Sequence, residues 1–95
     1  MNPARFTVYA DMVGDLFHSG HVSFLRRARA LAESRAGSAS VWMIVGLMSD
    51  SDASRYKRRP VLSLVERRQV VEACRLVDQV IAPCPLRVDR ALIDA

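Results

Sequence analysis

The sequence predicts an α/β protein with a parallel sheet in three layers. Three short apolar stretches, at residues 6–10, 41–47 and 79–81, are typical of strands, and the stretches between them have helical spacing. The composition, 51% hydrophobic and 25% charged, is that of a globular chain. Strands that alternate with helices pair in parallel through right-handed crossovers. The 95 residues are expected to form one domain, residues 1–95.

The first half of the chain predicts a strand, a helix and a polar loop. Phe6–Ala10 is short, β-branched and aromatic, which favours a strand. Glu33–Ser40 is expected to be a loop in which Gly37 ends the preceding helix. That helix is predicted from His21 onward, with an apolar stripe formed by Val22, Leu25, Ala28, Leu31 and Ala32. The arginines outside the stripe, expected in solvent, are Arg26, Arg27 and Arg29.

The second half predicts two more strands and two more helices. Val41–Leu47 is continuously apolar, as in a strand buried on both faces, and Ser49–Pro60 is a polar, basic loop. Ser63 and Glu66 match a capping box. The helix that they open is expected to turn inward Leu64, Val65, Val70, Val71, Cys74 and Val77. The third strand is Gln79–Ile81, after which Pro83 and Pro85 break the chain and a helix begins at Val88.

Charge and cysteine content restrict the class of protein. The net charge of +4 favours anionic ligands. Two cysteines are too few for a disulfide scaffold and indicate a reducing cytoplasm. The N-terminus lacks the apolar segment of a signal peptide, and no apolar run approaches the roughly 20 residues that span a bilayer. We therefore expect a cytoplasmic protein without a membrane partner. The sequence has no aromatic platform on which nucleic-acid bases would stack, so we expect no nucleic-acid partner.

The most informative stretch is His18-Ser19-Gly20-His21, at the predicted start of the first helix. Helix N-termini present unpaired N–H groups and partial positive charge, which favour phosphate. Imidazole donates hydrogen bonds near neutral pH, and Gly20 allows the backbone to approach a ligand closely. The same residues also fit one capping and one partly buried histidine. A metal site is a third alternative, although zinc would need further ligands at regular spacing. We predict no metal ligand among the protein residues.

Two loops are expected to face one crevice, because ligands of parallel sheets bind beyond the carboxyl ends of the strands. The loops are Asp11–His18 and Ser49–Arg59. Arg55–Arg59 carries cations that clamp phosphates, or is a solvated charge run. Asp15 is expected to order its turn. In Glu66-Arg67-Arg68 one arginine should point toward the crevice and its neighbour away, unless both are ordinary surface charges.

Together these residues resemble the nucleotidyltransferase superfamily with the H-x-G-H signature. Within it they resemble the cytidylyltransferases that act on phosphocholine, phosphoethanolamine and glycerol 3-phosphate. The resemblance covers nearly the whole chain, through the segments VYAD, DLFHSGH, GLMSD, YKRRP, ER and ACRLVDQVI. It implies a three-layer Rossmann-like nucleotidyltransferase fold. It also implies transfer of CMP from CTP to a small acceptor bearing a phosphate or a phosphonate, with release of pyrophosphate.

The resemblance assigns roles to the matching residues. His18 and His21 would hold the triphosphate as its charge develops, and Lys57 would bridge the α-phosphate and the attacking phosphate. These are the predicted catalytic residues. Mg²⁺ would accompany CTP, and the protein would be a homodimer.

Further residues are expected to bind the substrates. Arg67 would help to neutralise the triphosphate, and Asp50 with the backbone of Val13 and Gly14 would line the nucleotide. Asp11 lies where the choline branch meets its acceptor.

The sequence departs from the family pattern in three places. Met12-Val13-Gly14-Asp15 stands where the family has G-x-F-D, which changes how the loop meets the phosphates. Leu86 stands where the choline branch has tryptophan, which favours an acceptor other than choline. Nothing matches the family's later R-T-x-G segment, so we expect the C-terminal part of the domain to be absent. The alternative functions are ATP-dependent adenylyl transfer and a non-catalytic module that binds nucleotide or nucleic acid.

Overall fold

Three parallel strands form the sheet of the computed structural model, which describes residues 4–56 and 58–85. The strands are β1 (Arg5–Met12), β2 (Ser40–Met48) and β3 (Gln79–Cys84). They lie in the order β1-β2-β3, and both neighbouring pairs are parallel. The helices between them are α1 (Ser19–Ala36), α2 (Asp50–Tyr56) and α3 (Leu64–Glu72). The predicted α/β class and parallel sheet are confirmed.

The core lies between one face of the sheet and helices α1 and α3. Met43, Val45 and Leu47 alternate along β2, so they share one face, and all three are fully buried. Leu25 of α1 and Val71 of α3 belong to the same buried cluster. Both helices therefore cover one face, and the described residues supply the sheet and one helical layer. The third predicted layer stays a prediction.

Helix α1 is longer than predicted, and its buried stripe is narrower. It continues through residues 33–36, and Gly37 follows it with a φ of +64°. Leu25 and Ala32 are buried, whereas Leu31 is 54% exposed. Residues seven apart return to the same helical face, and Leu31 lies well away from it. The predictions of a loop from Glu33 and of an inward Leu31 were therefore wrong.

Arg29 was also expected in solvent, and the structure corrects this. Its guanidinium donates to Asp78 Oδ2 at 3.0 Å and to the carbonyl of Leu76 at 2.9 Å. Asp78 Oδ2 in turn accepts the backbone N–H of Met43 at 2.7 Å. This network joins α1 to the segment that precedes β3, at the end of the sheet opposite the carboxyl ends of the strands.

The segment after β2 was predicted to be a loop but contains helix α2. Ser49 Oγ accepts the backbone N–H of Asp52 at 3.1 Å, and acidic residues occupy the first turn. Both features stabilise a helix start. Ala53, the small apolar residue in this polar stretch, is fully buried. One buried alanine produces little periodicity, which explains the wrong prediction.

Helix α3 begins as predicted but buries a different face. Ser63 and Glu66 form the expected capping box. Val65 and Val70 are 66% and 43% exposed, against the prediction that both face inward. The buried positions are Arg67 and Val71, four residues apart on one face.

Strand β3 continues past its predicted end, through Pro83 to Cys84. It lies at the edge of the three described strands, where proline's missing N–H is tolerated. The helix predicted from Val88 lies outside the described residues. Among the helices that the structure describes, none is long and apolar enough to cross a bilayer.

Candidate functional site

A cavity of about 470 Å³ lies at the carboxyl ends of β1 and β2. Both loops that were expected to face one crevice contribute to it, as the parallel-sheet rule predicts. Its walls are formed by Asp11, Met12, Val13, Gly14, Asp15, His18, His21, Met48, Arg58 and Pro60. The cavity thus combines two imidazoles, two carboxylates and a guanidinium.

The two histidines cap helix α1 reciprocally. His18 is the N-cap residue, and its Nδ1 accepts the backbone N–H of Gly20 at 2.9 Å. His21 Nδ1 accepts the backbone N–H of His18 at 3.2 Å. A nitrogen that accepts a hydrogen bond carries no proton, so each neutral ring has its proton on Nε2. The cap therefore leaves two Nε2–H donors for a ligand.

The packing of the rings fixes the positions of these donors. The centroids of His18 and His21 are 4.3 Å apart, and Phe17 stacks on His21 at 5.2 Å. A Cβ on residue 20 would lie 2.6 Å from His18 Cε1, so Gly20 gives the ring its room. We expected this glycine to admit a ligand; in the structure it admits the His18 side chain.

His21 is held in its neutral form. Burial lowers its pKa, and the neighbouring His18 lowers the pKa further, while the carboxylate of Asp15 acts in the opposite direction. Neutral His21 keeps both its capping bond and its Nε2–H donor. Within residues 4–56 and 58–85, no three His, Cys, Asp or Glu side chains cluster as a metal site would require.

Asp15 orders a different loop from the one we expected. Its two carboxylate oxygens accept the backbone N–H groups of Val61 and Leu62, at 2.8 and 2.9 Å. These two bonds lower the pKa of Asp15 below its usual value. Asp15 therefore joins the β1–α1 loop to the segment that precedes α3.

Arg67, which was predicted to help neutralise the triphosphate, is fully buried, and that role stays a prediction. Nη1 donates to the carbonyls of Val13 at 2.7 Å and Met48 at 2.8 Å, and Nε donates to the carbonyl of Leu62 at 3.2 Å. Nη2 donates to Asp50 Oδ1 at 2.6 Å. Four of the five N–H donors of the guanidinium are thereby used. Arg67 holds together the loops that surround the cavity.

Asp50 was predicted to line the nucleotide, and this too stays a prediction. Its carboxylate pairs with Arg67 and borders a neighbouring cavity rather than the one that contains the histidines. Arg68, beside Arg67 in sequence, pairs with Glu72 on the surface at 3.2 Å. One arginine of the Glu66-Arg67-Arg68 stretch thus points in and the other out, as expected.

Val13 and Gly14 line the cavity, and the prediction that their backbone lines the nucleotide stays a prediction. Gly14 is buried and has a φ of +68°, a conformation that favours glycine. A Cβ there would also lie 2.9 Å from Leu47 Cδ2. The departure from G-x-F-D therefore has a structural basis, since this loop makes its turn at residue 14.

Asp11 also lines the cavity. It lies at the end of β1 and pairs in register with Gly46 of β2. Tyr9, two residues earlier, projects from the same face and lies over Gly46 beside Cys84. Burial raises the pKa of Tyr9, and the charge of Asp11 contributes in the same direction. Asp11 and Tyr9 therefore project from one face of the sheet, whereas helix α1 packs on the other face.

The basic loop is described in part. Lys57, the predicted bridging residue, lies outside the described residues. Arg58 lines the cavity with the histidines, whereas Arg59 lines the neighbouring cavity with Asp50 and Glu66. Our site prediction included neither arginine individually, because a run of basic residues does not reveal which ones turn inward.

The sequence matches a known family. Residues 14–95 match the model of the family described as cytidylyltransferase-like. The chain belongs to this family, which confirms the resemblance seen in the sequence.

The curated relatives include ethanolamine-phosphate and choline-phosphate cytidylyltransferases. The chain is 42% identical over 93 residues to "Ethanolamine-phosphate cytidylyltransferase" of Arabidopsis thaliana, covering 96% of this chain and 20% of that protein. The Mus musculus protein of that name is 35% identical over 94 residues, covering 97% and 22%. "Choline-phosphate cytidylyltransferase A" of Rattus norvegicus is 40% identical over 78 residues, covering 82% and 20%. The chain thus spans about a fifth of the length of these relatives.

A solved structure has the same fold. The lipopolysaccharide core biosynthesis protein from Thermoplasma volcanium GSS1 superposes with a TM-score of 0.74 at 20% identity. The match covers 98% of this chain and 68% of that one.

Proposed function

We propose that the protein transfers CMP from CTP to a small acceptor that bears a phosphate or a phosphonate. An acceptor oxygen attacks the α-phosphorus of CTP and forms a new P–O bond. The bond between the α-phosphorus and the bridging oxygen breaks, and its electron pair leaves with pyrophosphate. The observation that carries this proposal is that His18 and His21 line the cavity and use Nδ1 for the helix cap, which leaves their Nε2–H groups for a ligand.

The residues of the site act by positioning and by charge stabilisation. The start of α1 adds the partial positive charge of a helix N-terminus to the two imidazole donors. Donors fixed before the reaction stabilise the charge that moves onto pyrophosphate. We assign to Lys57 the bridge between the α-phosphate and the attacking oxygen, as the family resemblance implies. Arg67 acts indirectly, through the loops that it holds.

Mg²⁺ would arrive with the nucleotide. It commonly binds through one or two carboxylates together with substrate phosphates, and it keeps several waters. The cavity fits this mode, since the carboxylates of Asp11 and Asp15 line it together with the histidines. When bound, the ion would neutralise part of the triphosphate charge.

The residues described around Asp11 favour an acceptor with a small head group over one with a trimethylated cation. Quaternary ammonium recognition uses aromatic cages. The aromatic side chain described near Asp11 is Tyr9, which covers Gly46. Trp42 lies near the amino end of β2, where its indole N–H donates to the side chain of Gln79 at 3.1 Å. The names of the plant and mouse relatives support phosphoethanolamine. Glycerol 3-phosphate and 2-hydroxyethylphosphonate present the same attacking oxygens.

The first test is calorimetric titration of Mg-CTP and Mg-ATP into the 95-residue chain. Saturable binding with preference for CTP supports the proposal. Preference for ATP favours adenylyl transfer, and absence of binding contradicts both. Phosphorus NMR then detects transfer, as a new diphosphate ester and pyrophosphate, with phosphoethanolamine, glycerol 3-phosphate, 2-hydroxyethylphosphonate and phosphocholine in parallel.

Three further proposals follow from the resemblance and the composition. We propose a homodimer, a cytoplasmic location and no nucleic-acid partner. Light scattering on the purified protein measures its mass. A mobility shift with random DNA that CTP does not reverse would contradict the last of these proposals.

A further inference from the structure

Consecutive arginines leave the segment of residues 58–62 in two directions. Arg58 lines the cavity that contains His18 and His21. Arg59 lines the neighbouring cavity, which also contains the carboxylates of Asp50 and Glu66. Both arginines are exposed and carry the same charge. Their surroundings therefore differ far more than their chemistry does.

The position of this segment is fixed by hydrogen bonds at its C-terminal end. Asp15 accepts the N–H groups of Val61 and Leu62, and Arg67 donates to the carbonyl of Leu62. Pro60, whose ring restricts the backbone, lines the cavity beside Arg58. The two groups that hold the segment come from the β1–α1 loop and from α3. These hydrogen bonds fix the backbone of the segment that places Arg58 at the cavity.

Arg58 lines one cavity with both histidines and with Asp15, and its charge acts on the Asp15 carboxylate. The charge of Asp15 in turn acts on His21. Asp11, in contrast, acts on Tyr9 and Cys84. Arg58, Asp15 and the two imidazoles therefore line the same cavity. None of the ion pairs found in residues 4–56 and 58–85 includes Arg58.

We propose that Arg58 binds the β- and γ-phosphates of the nucleotide, opposite the Nε2–H donors of His18 and His21. This inference rests on the proposed function and adds a residue to it. A guanidinium presents paired N–H donors that match two phosphate oxygens. These oxygens belong to the pyrophosphate that leaves, so Arg58 would stabilise the charge that grows there. Arg59 takes no part in nucleotide binding.

The test compares Arg58→Ala with Arg59→Ala, which remove the same charge from opposite sides of one segment. Calorimetry measures the Kd of Mg-CTP, of CMP and of pyrophosphate with Mg²⁺, for both variants and the wild type. We expect Arg58→Ala to weaken CTP and pyrophosphate binding by about ten- to a hundredfold, the range for losing hydrogen bonds to a charged group. CMP binding should change by less than about threefold in that variant, because screened long-range charge contributes little. Arg59→Ala should match the wild type with all three ligands.

Each other outcome overturns a defined statement. Equal losses of CTP affinity in both variants would mean a general charge effect and would contradict the role of Arg58. Equal losses of CTP and CMP affinity in Arg58→Ala would place the side chain at the α-phosphate or the nucleoside, again against the proposal. A wild-type protein that binds CTP, with Arg58→Ala unchanged, refutes this inference alone. A wild-type protein that does not bind CTP refutes the proposed function and the inference together.

Discussion

Helices α1 and α3 begin with the same hydrogen-bonding arrangement made from different side chains. In α3, Ser63 is the N-cap residue and Glu66 reaches back to its backbone N–H at 3.2 Å. In α1, His18 and His21 occupy the equivalent positions. Glu66 places a negative charge in the first turn of α3, whereas the first turn of α1 has no acidic residue. One helix start supplies its own anion, and the other does not.

The difference shows how a cap is turned into a binding site. A carboxylate at the third helical position satisfies the backbone and the helix dipole together. Imidazole satisfies the backbone through Nδ1 but leaves the dipole uncompensated and adds an outward Nε2–H. The start of α3 therefore serves stability, while the start of α1 has unused capacity for an external anion. The predictions below test this contrast.

The largest effect should come from Arg67, which joins the two helix starts. Arg67→Ala removes four hydrogen bonds and leaves carbonyls of distant segments unpaired. We expect a loss of about 3–5 kcal/mol in the free energy of unfolding, because three carbonyls lose their donor at about 1–3 kcal/mol each. Urea denaturation measures it. Arg68→Ala removes a surface pair with Glu72, so a loss there above about 1 kcal/mol would contradict this account.

A separation of capping from binding is expected at His18. Asparagine accepts a backbone N–H as an N-cap but has no group at the place of Nε2, so His18→Asn keeps the cap and removes the donor. CTP affinity should fall by about ten- to a hundredfold, with less than about 1 kcal/mol change in stability. Turnover, where phosphorus NMR detects it, should fall by about a hundredfold. Ser63→Asn, the same replacement at the other cap, should leave CTP affinity unchanged.

Loss of the α3 cap should affect stability without affecting binding. Ser63→Ala removes the acceptor of the Glu66 backbone N–H and should lower the free energy of unfolding by about 1 kcal/mol. Ser34→Ala, a serine in the interior of α1 whose hydroxyl donates to the carbonyl of Leu31, is the control. Alanine favours helix interiors, so the control should not lose stability. Equal losses in both variants would indicate that the cap is unimportant.

The smallest effect should be a pH dependence that belongs to the α1 cap. The pKa of His21 is lower in the folded state than in the unfolded chain. Between these two pKa values, the unfolded chain is protonated at His21 and the folded protein is not. The contribution of His21 to stability is therefore complete above its ordinary pKa of 6.5 and is lost as the pH falls through the lowered folded value. Urea midpoints between pH 8 and pH 5 measure this. His21→Gln should flatten the dependence, and an unchanged dependence would assign it to other groups.

The sequence predicted these two helix starts unequally well. Ser63 and Glu66 are residue types with known capping preferences at the required spacing, so the α3 cap could be read directly. Histidine is not a preferred N-cap residue, so the motif indicated a helix start and phosphate chemistry but not the reciprocal bonds that fix the tautomers. The meeting of both loops at the carboxyl ends followed from strand order alone.

The burial of Arg67 could not be predicted from local sequence. Its partners Val13 and Met48 lie 54 and 19 residues away, and backbone carbonyls leave no mark in the amino-acid pattern. Because the sequence pattern treats arginine as a surface residue, it placed Val65 and Val70 inward. In the structure Arg67 occupies the buried face of α3 in their place. The sequence could not distinguish Arg58 from Arg59, because their directions depend on the hydrogen bonds that Val61 and Leu62 donate to Asp15.

The central claim, that two neutral histidines offer Nε2–H groups to a triphosphate, is tested most directly by nitrogen NMR of the imidazoles. The chain contains two histidines, so the spectrum contains two rings to assign, and His18→Asn identifies them. At pH 7.5 both rings should carry their proton on Nε2, and both Nε2 signals should shift saturably with Mg-CTP but little with CMP. A proton on Nδ1 of either ring, or Nε2 signals that Mg-CTP does not move, would contradict the account.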